Sequence, residues 1–170
     1  MSRMPVPGVR AFVLSCEGDE PVSQSSRNGL SFLVVDNQPE QLDEWCKIVE
    51  RVTGSCPRRA DSWEAATKAV RSAPVDVLVV DLFLTAESER RHELEFSEGL
   101  RLIAECKALY PHSRVVAITS KLGETAKGGA AALREGADDF ISTAWPRVYA
   151  VCLLEQKLRI FRELLLQSKS

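Results

Sequence analysis

Residues 75–81 read VDVLVVD, a short apolar run that ends in an acid. A second run of this kind, SFLVVDN, occupies residues 31–37. Both are rich in Val, Leu or Phe and are bounded by Gly, Asn or Pro, which predicts buried strands rather than helices. In open parallel α/β sheets the reactive groups collect just beyond the carboxyl ends of the strands. Asp36 and Asp81 are therefore predicted to share one pocket.

Strand-like and helix-like segments alternate from Leu30 onward. The predicted strands are 31–35, 56–59, 75–82, 114–119 and 139–142, and the predicted helices are 39–52, 62–72, 97–109, 125–135 and 146–167. This alternation implies parallel strands, right-handed crossovers and helices on both faces of the sheet. We predict an α/β, doubly wound, five-stranded parallel sheet of the flavodoxin-like kind, with an extended C-terminal helix.

The chain divides into three predicted parts. Its 170 residues, 45% of them hydrophobic, suffice for one core. Residues 1–29 are rich in Pro, Gly and Ser and form an N-terminal extension, either disordered or with an extra strand at residues 9–14. The domain itself spans residues 30–146, and residues 147–170 form the final helix.

Composition narrows the classes of function. The net charge is -2, the pI is near 5.8 and the basic residues are scattered, which argues against nucleic-acid binding. Five cysteines without a Cys-x-x-Cys spacing predict reduced, mostly buried thiols. No apolar stretch approaches the roughly 20 residues that span a bilayer, and no signal pattern opens the chain. These features predict a cytoplasmic protein that binds neither nucleic acid nor a membrane.

Three short motifs lie at the third, fourth and fifth strands of the predicted sheet. They are VVDL at residues 79–82, AITS at residues 117–120 and GADDF at residues 136–140. In this order, and with the acidic stop at Asp36, they resemble the receiver domain of bacterial response regulators over residues 30–146. The resemblance implies the CheY-like receiver fold and a role in two-component phosphorelay signalling rather than an enzyme.

The resemblance also implies roles for the residues at the first and third strand ends. Asp81 matches the phosphoacceptor, a phosphoryl-accepting Asp that a histidine kinase serves in this family. Asp36, Asn37, Asp81 and the backbone carbonyl of Phe83 match the Mg²⁺ site. A carboxylate attacks an anionic phosphoryl donor poorly unless a divalent cation neutralises the gathering charge. Mg²⁺ prefers oxygen ligands and retains several waters, so a small ligand set suffices.

The fourth and fifth strand ends carry the remaining matches. Thr119 and Phe140 match the family's switch pair. This pair consists of a hydroxyl residue and an aromatic residue whose rotamer changes with the movement of that hydroxyl. Thr143 occupies the position of the family's Lys, and Asn37 replaces one acid of its acidic pair. A Thr hydroxyl cannot supply the electrostatic stabilisation of a Lys. We therefore expect Mg²⁺ binding and Asp phosphorylation to be weakened or absent.

A charged insertion follows the third strand. Gly99 lies 18 positions after Asp81, roughly twice the family's spacing, and the added stretch is residues 86–96. Two interpretations stay open: recognition, with Arg90 and Arg91 reaching a phosphoryl group, or a solvated helix. Lys121 is a further candidate cation, although exposed Lys is the commoner case.

The final helix has two apolar stripes. The first follows a coiled-coil spacing and consists of Val151, Leu154, Leu158, Phe161 and Leu165. The second consists of Leu153, Ile160 and Leu164. One stripe can pack on the domain while the other contacts a partner, so we predict a homodimer through this helix.

Three functions follow, in order of preference. The first is a stand-alone, atypical receiver that acts through contacts with protein partners, such as a histidine kinase or another signalling protein. The alternative is a phosphorylation-independent dimerisation or adaptor module with a vestigial pocket. A flavodoxin-like enzyme or nucleotide binder is disfavoured because no Gly-rich phosphate loop follows the first strand. An isolated Asp after a strand is commonly a turn residue, but the joint motifs favour a pocket.

Overall fold

The computed structural model describes residues 29–85, 97–119, 125–144 and 146–169. Its strands are β1 Phe32–Val35, β2 Arg58–Ala60, β3 Val77–Asp81, β4 Arg114–Thr119 and β5 Asp139–Ser142. Its helices are α1 Pro39–Thr53, α2 Trp63–Ser72, α3 Glu98–Leu109, α4 Thr125–Arg134 and α5 Arg147–Ser168. The predicted strand at residues 9–14, the insertion at residues 86–96 and Lys121 lie outside the described residues.

The strands form one parallel sheet in the order β2-β1-β3-β4-β5. Strand and helix alternate along the described chain, and the strand order reverses direction after β2, as in a doubly wound sheet. The predicted flavodoxin-like α/β fold is therefore confirmed. The carboxyl ends of all five strands face the same edge of the sheet, so this topology gathers the predicted site residues.

The sheet is buried on both faces because successive side chains of a strand point to opposite sides. Leu33 and Val35 pack in a core with residues of α2, α3 and α4. Phe32 and Val34 pack in a second core with residues of α1 and α5. Continuous apolar strands, rather than alternating ones, follow from this two-sided burial.

Helix boundaries follow local capping chemistry. Helix α1 begins at Pro39 and ends before Gly54, whose φ of 74° is a left-handed conformation that glycine adopts at low cost. Helix α2 begins directly after Ser62. Ser62 is the cap: its hydroxyl accepts a hydrogen bond from the Ala65 N–H at 3.3 Å.

Helix α5 turns its coiled-coil stripe inward. Leu154, Leu158, Phe161 and Leu165 are buried in the core with α1, and Val151 packs partly buried against it. This stripe therefore packs on the sheet and is not available as an intermolecular seam. In the second stripe Ile160 and Leu164 are exposed, whereas Leu153 packs partly buried against the core.

The cysteines were predicted to be mostly buried. Cys46 and Cys106 are buried, whereas Cys56 and Cys152 are exposed, so half of the described thiols depart from the prediction of burial. Burial raises the pKa of Cys46 to about 11, which keeps that thiol protonated.

Among the helices described, none is long and apolar enough to cross a membrane.

Candidate functional site

Asp36 and Asp81 lie side by side at the carboxyl edge of the sheet. Strands β1 and β3 are parallel neighbours with Val35 opposite Val80, and each acid is the next residue on its strand. Both acids are buried, with 1% of Asp36 and 6% of Asp81 exposed. Two buried carboxylates on adjacent strands repel each other unless donors or a cation compensate their charge.

The Asp36 carboxylate accepts hydrogen bonds on both oxygens. Its Oδ1 accepts from the Gln38 N–H at 2.9 Å, and its Oδ2 accepts from the indole Nε1–H of Trp45 at 3.2 Å. The first bond belongs to the turn into α1, and the second comes from the buried face of that helix. Because a carboxylate oxygen has two lone pairs, one such hydrogen bond does not by itself exclude a cation as a second partner.

Asn37 presents an unsatisfied oxygen at the same edge. Within the described residues, its Oδ1 is buried and has no hydrogen-bond partner. Burying an amide oxygen without a partner is unfavourable, by about 1–3 kcal/mol in proteins. Asn37 directly follows Asp36 in the chain, and its Oδ1 is a suitable ligand for a hard cation.

The loop after β3 is held close to Asp81. The Phe83 N–H donates to Asp81 Oδ1 at 3.3 Å, and the Leu82 N–H donates to the carbonyl of Ile118 at 3.0 Å. Gly99 passes directly behind this loop: a Cβ there would lie 2.4 Å from the Asp81 carbonyl oxygen. Only glycine permits this approach, which accounts for the glycine in the first turn of α3.

Ser97 fastens the same loop, a role that the sequence did not reveal. It is fully buried, its hydroxyl donates to the carbonyl of Leu82, and it accepts from the Leu100 N–H at 3.2 Å. Its position as N-cap of α3 was the available signal, since a Ser precedes an acidic first turn.

Thr119 and Thr143 are joined across β4 and β5. Thr119 ends β4 and is buried. Thr143 donates its backbone N–H to the Thr119 carbonyl at 2.8 Å and its hydroxyl to the same oxygen at 3.3 Å. Thr143, which is predicted from the sequence to lie at the position of the family's Lys, is neutral, and its hydroxyl is engaged with the backbone.

Phe140 lies on β5 with its ring against α4. A Cβ on Gly129 would come within 2.7 Å of the Phe140 ring. Phe140 pairs with Ala117, while Ser142 pairs with Thr119. The predicted switch residues therefore lie on neighbouring strands, two register positions apart.

The residues at this edge fit an oxygen-liganded divalent cation. The donors are the carboxylates of Asp36 and Asp81, the unpaired Asn37 oxygen and the backbone of Phe83. The described residues, this edge included, contain no group of three or more His, Cys, Asp or Glu side chains that could hold a metal ion, so a site here would rest on two carboxylates, an amide and a backbone oxygen. Mg²⁺ takes octahedral oxygen sets with retained waters, and the donors here match that preference.

Asp138 of the GADDF motif has a structural place instead. Its carboxylate accepts from Lys107 Nζ and the Val115 N–H, both at 2.9 Å, and from Arg114 Nη1 at 2.6 Å. Burial raises the pKa of Asp138, but these hydrogen bonds outweigh it and the pKa lies below its usual value. Asp138 thus ties α3, β4 and the start of β5 together, away from Asp81.

Comparisons with known proteins were made by sequence and by structure. No known family's sequence profile matches the chain, and no curated protein sequence is significantly similar. Solved structures do match. The receiver domain of NtrX from Brucella abortus is 26% identical with a TM-score of 0.57, over 75% of this chain and 98% of that one.

Two further structures are similar at lower identity. A CheY-like receiver domain protein from Methanospirillum hungatei is 18% identical with a TM-score of 0.60, over 79% of this chain and 98% of that one. A response regulator from Burkholderia pseudomallei, with a phosphorylated aspartic acid, calcium ion and citrate, is 22% identical with a TM-score of 0.56, over 80% of this chain and 74% of that one. The predicted resemblance is confirmed, and the chain has the CheY-like receiver fold of response regulators.

Proposed function

We propose that this chain is an atypical receiver domain of two-component phosphorelay signalling, with Asp81 as a weakly phosphorylated acceptor. The observation that carries the proposal is the buried pair of carboxylates, Asp36 and Asp81, on adjacent strand ends. Two buried carboxylates on adjacent strand ends concentrate negative charge, which is the arrangement expected of a cation-assisted site.

Mg²⁺ would be held by Asp36, Asn37, Asp81 and the carbonyl of Phe83. When bound, Mg²⁺ supplies positive charge that offsets the repulsion between the acceptor carboxylate and an anionic phosphoryl group. The Burkholderia pseudomallei relative carries a phosphorylated aspartic acid and a calcium ion, which supports the same use of this pocket.

Two features support weakened chemistry. Asn37 contributes an amide where the family has an acid, so the ligand set has one negative charge fewer and attracts a cation less strongly. Thr143 carries no charge, and its hydroxyl donates to the Thr119 carbonyl. We further propose that the domain acts in the cytoplasm through contacts with protein partners, as a signalling module rather than an enzyme.

A phosphoryl mimic tests this pocket. Thermal unfolding is measured with Mg²⁺ alone, beryllofluoride alone and both together. A ligand that binds only the folded state raises the midpoint, so we expect an increase that requires both components and disappears in Asp81→Asn. The surface variant Asp61→Asn is the control. An equal increase in Asp81→Asn excludes Asp81 as the binding residue.

The adaptor alternative is favoured by one surface. Tyr149, Ile160 and Leu164 lie on one side of α5 and are 61%, 40% and 44% exposed. Their spacing places them on a stripe next to the buried one, and an exposed apolar stripe of this kind is typical of an interface. We propose self-association of the domain through this stripe.

Sedimentation velocity over a range of concentrations tests the stripe. A double variant, Ile160→Glu with Leu164→Glu, should convert a dimer into a monomer because it buries two charges in the interface. Arg162→Glu makes the same change in net charge on another side of α5 and should leave the dimer intact. A wild-type monomer at every concentration contradicts self-association.

A further inference from the structure

Trp45 connects the interior of α1 to the predicted cation site. Its side chain is almost completely buried, with 1% exposed, in the core between the sheet, α1 and α5. Its indole Nε1–H donates to Asp36 Oδ2 at 3.2 Å. An indole has this single polar group and cannot accept in return. The bond therefore specifies one orientation of the Asp36 carboxylate, together with the Gln38 N–H on Oδ1.

Arg147 holds the indole in place from the other side. This residue opens α5, and its guanidinium carbon lies 4.3 Å from the centre of the Trp45 ring. Its Nε also lies 3.0 and 3.2 Å from the two carboxylate oxygens of Glu44. The ion pair determines where the planar guanidinium sits, and the stack determines how the indole beneath it is oriented.

The three side chains form a continuous path from α5 to the site. Arg147 contacts Trp45, and Trp45 donates to Asp36, so the amino-terminal turn of α5 and the carboxylate are joined through one aromatic ring. Partners of this kind, one bond removed from a metal ligand, orient the ligand. Their removal typically costs 10–100-fold in metal affinity.

We propose that Trp45 and Arg147 are positioning residues for Asp36 in binding a divalent cation. The inference rests on the proposed cation site and assigns these two side chains a role within it. Trp45 acts directly by its N–H, and Arg147 acts through Trp45. Removing the N–H lets the Asp36 carboxylate rotate toward other donors, which weakens its contact with the cation.

The chain contains a matched control pair. The Arg101 guanidinium lies over the ring of Trp63, 4.9 Å from its centre. Trp63 packs against the core on the opposite face of the sheet from Trp45. Replacing Trp63 or Arg101 thus removes the same kind of stack without altering the path to Asp36.

The test measures Mn²⁺ binding by electron paramagnetic resonance, which counts free Mn²⁺ directly. In Trp45→Phe, which keeps an aromatic ring but removes the N–H, we expect about a tenfold loss of affinity. Arg147→Ala should lower the Mn²⁺ affinity by a smaller factor, roughly threefold, because Arg147 contacts Trp45 and acts on Asp36 only through it. Trp63→Phe and Arg101→Ala should bind as the wild type does. Thermal unfolding of each variant confirms that it is folded.

A double variant separates positioning from a general effect on packing. If Trp45 acts through Asp36, then Asp36→Asn combined with Trp45→Phe binds no more weakly than Asp36→Asn alone. In addition, the indole N–H resonance of Trp45 should shift on addition of Mg²⁺ while that of Trp63 remains unchanged. A merely structural Trp45 would give additive losses and no such shift.

The outcomes distinguish this inference from the proposed function. Wild-type affinity in Trp45→Phe, or additive losses in the double variant, overturns the positioning role and leaves the cation site intact. Absence of Mn²⁺ binding in the wild type overturns the cation site and the positioning role together. Loss in Trp45→Phe with unchanged binding in both control variants supports the proposal.

Discussion

Thr143 donates both its backbone N–H and its hydroxyl to the carbonyl oxygen of Thr119. This pairing closes the fourth and fifth strands at the edge of the sheet where Asp36 and Asp81 are buried. A neutral side chain committed to a backbone carbonyl cannot neutralise an incoming phosphoryl group. Because the side chain predicted to lie at the position of the family's Lys is neutral and bonded to the backbone, we expect phosphoryl transfer to Asp81 to be weaker than in the family.

Thr143→Lys should strengthen phosphoryl binding. A Lys at this position adds one positive charge beside the pocket, and charge-assisted hydrogen bonds are roughly twice as strong as neutral ones. We expect at least a tenfold increase in the initial rate of Asp81 phosphorylation by a small phosphodonor, measured by intact mass. Gln167→Lys, at the far end of α5, adds the same charge and should have no effect. Equal rates in all three proteins would show that the missing charge does not limit the reaction.

Asn37→Asp should raise Mg²⁺ affinity by about tenfold, because the ligand set gains a negative charge. The same change should lower the melting temperature without Mg²⁺, since a third carboxylate then adjoins Asp36 and Asp81. Calorimetric titration and thermal unfolding measure the two effects. Gln38→Glu adds a charge on the neighbouring exposed side chain and serves as control. An affinity that rises equally in both variants would indicate a general effect of charge and not a ligand at residue 37.

Gly99→Ala should destabilise the domain by about 2–3 kcal/mol, because its Cβ meets backbone that cannot move freely. That Cβ would lie 2.4 Å from the Asp81 carbonyl oxygen and 2.5 Å from the Leu82 Cα. Urea unfolding measures the loss. At Gly54 an added Cβ would meet no neighbouring atom within 4 Å, but φ is 74°. Gly54→Ala therefore isolates the backbone cost and should lower the free energy of unfolding by only about 1 kcal/mol. A smaller loss at residue 99 than at residue 54 would contradict the close packing of this loop.

Asp138 should make stability depend on acid pH. Its folded-state pKa is depressed, so its contribution is complete above the unfolded pKa, about 3.9, and is lost as the pH falls through the folded value. The difference in free energy of unfolding between the wild type and Asp138→Asn should be constant from pH 8 to about 5 and shrink below about 4. The surface variant Asp61→Asn controls for loss of an acid. A difference that grows toward low pH would reverse the assigned sign.

The fold was accessible from sequence because strands buried on both faces read as continuous apolar runs. Those at residues 31–35 and 75–80 needed no tertiary information. Their acidic ends predicted the neighbourhood of Asp36 and Asp81, since parallel strands place their carboxyl ends together. Local signals of this kind depend only on residue type and spacing.

Other features depend on contacts between distant segments. Trp45 is buried, and its bond to Asp36 depends on how α1 lies on the sheet. The first stripe of α5 has the spacing of a coiled-coil seam, yet a stripe of Leu and Phe packs equally well on a sheet. Periodicity alone does not distinguish these partners. The engaged hydroxyl of Thr143 likewise follows from the register between β4 and β5.

The most direct test of the central claim is phosphorylation at Asp81. The protein is incubated with a small phosphodonor over a range of Mg²⁺ concentrations, and intact mass spectrometry follows the gain of one acid-labile phosphoryl group. We expect a slow, substoichiometric gain that requires Mg²⁺ and is absent from Asp81→Asn. No gain at any Mg²⁺ concentration, or an equal gain in Asp81→Asn, would exclude Asp81 as the phosphoacceptor.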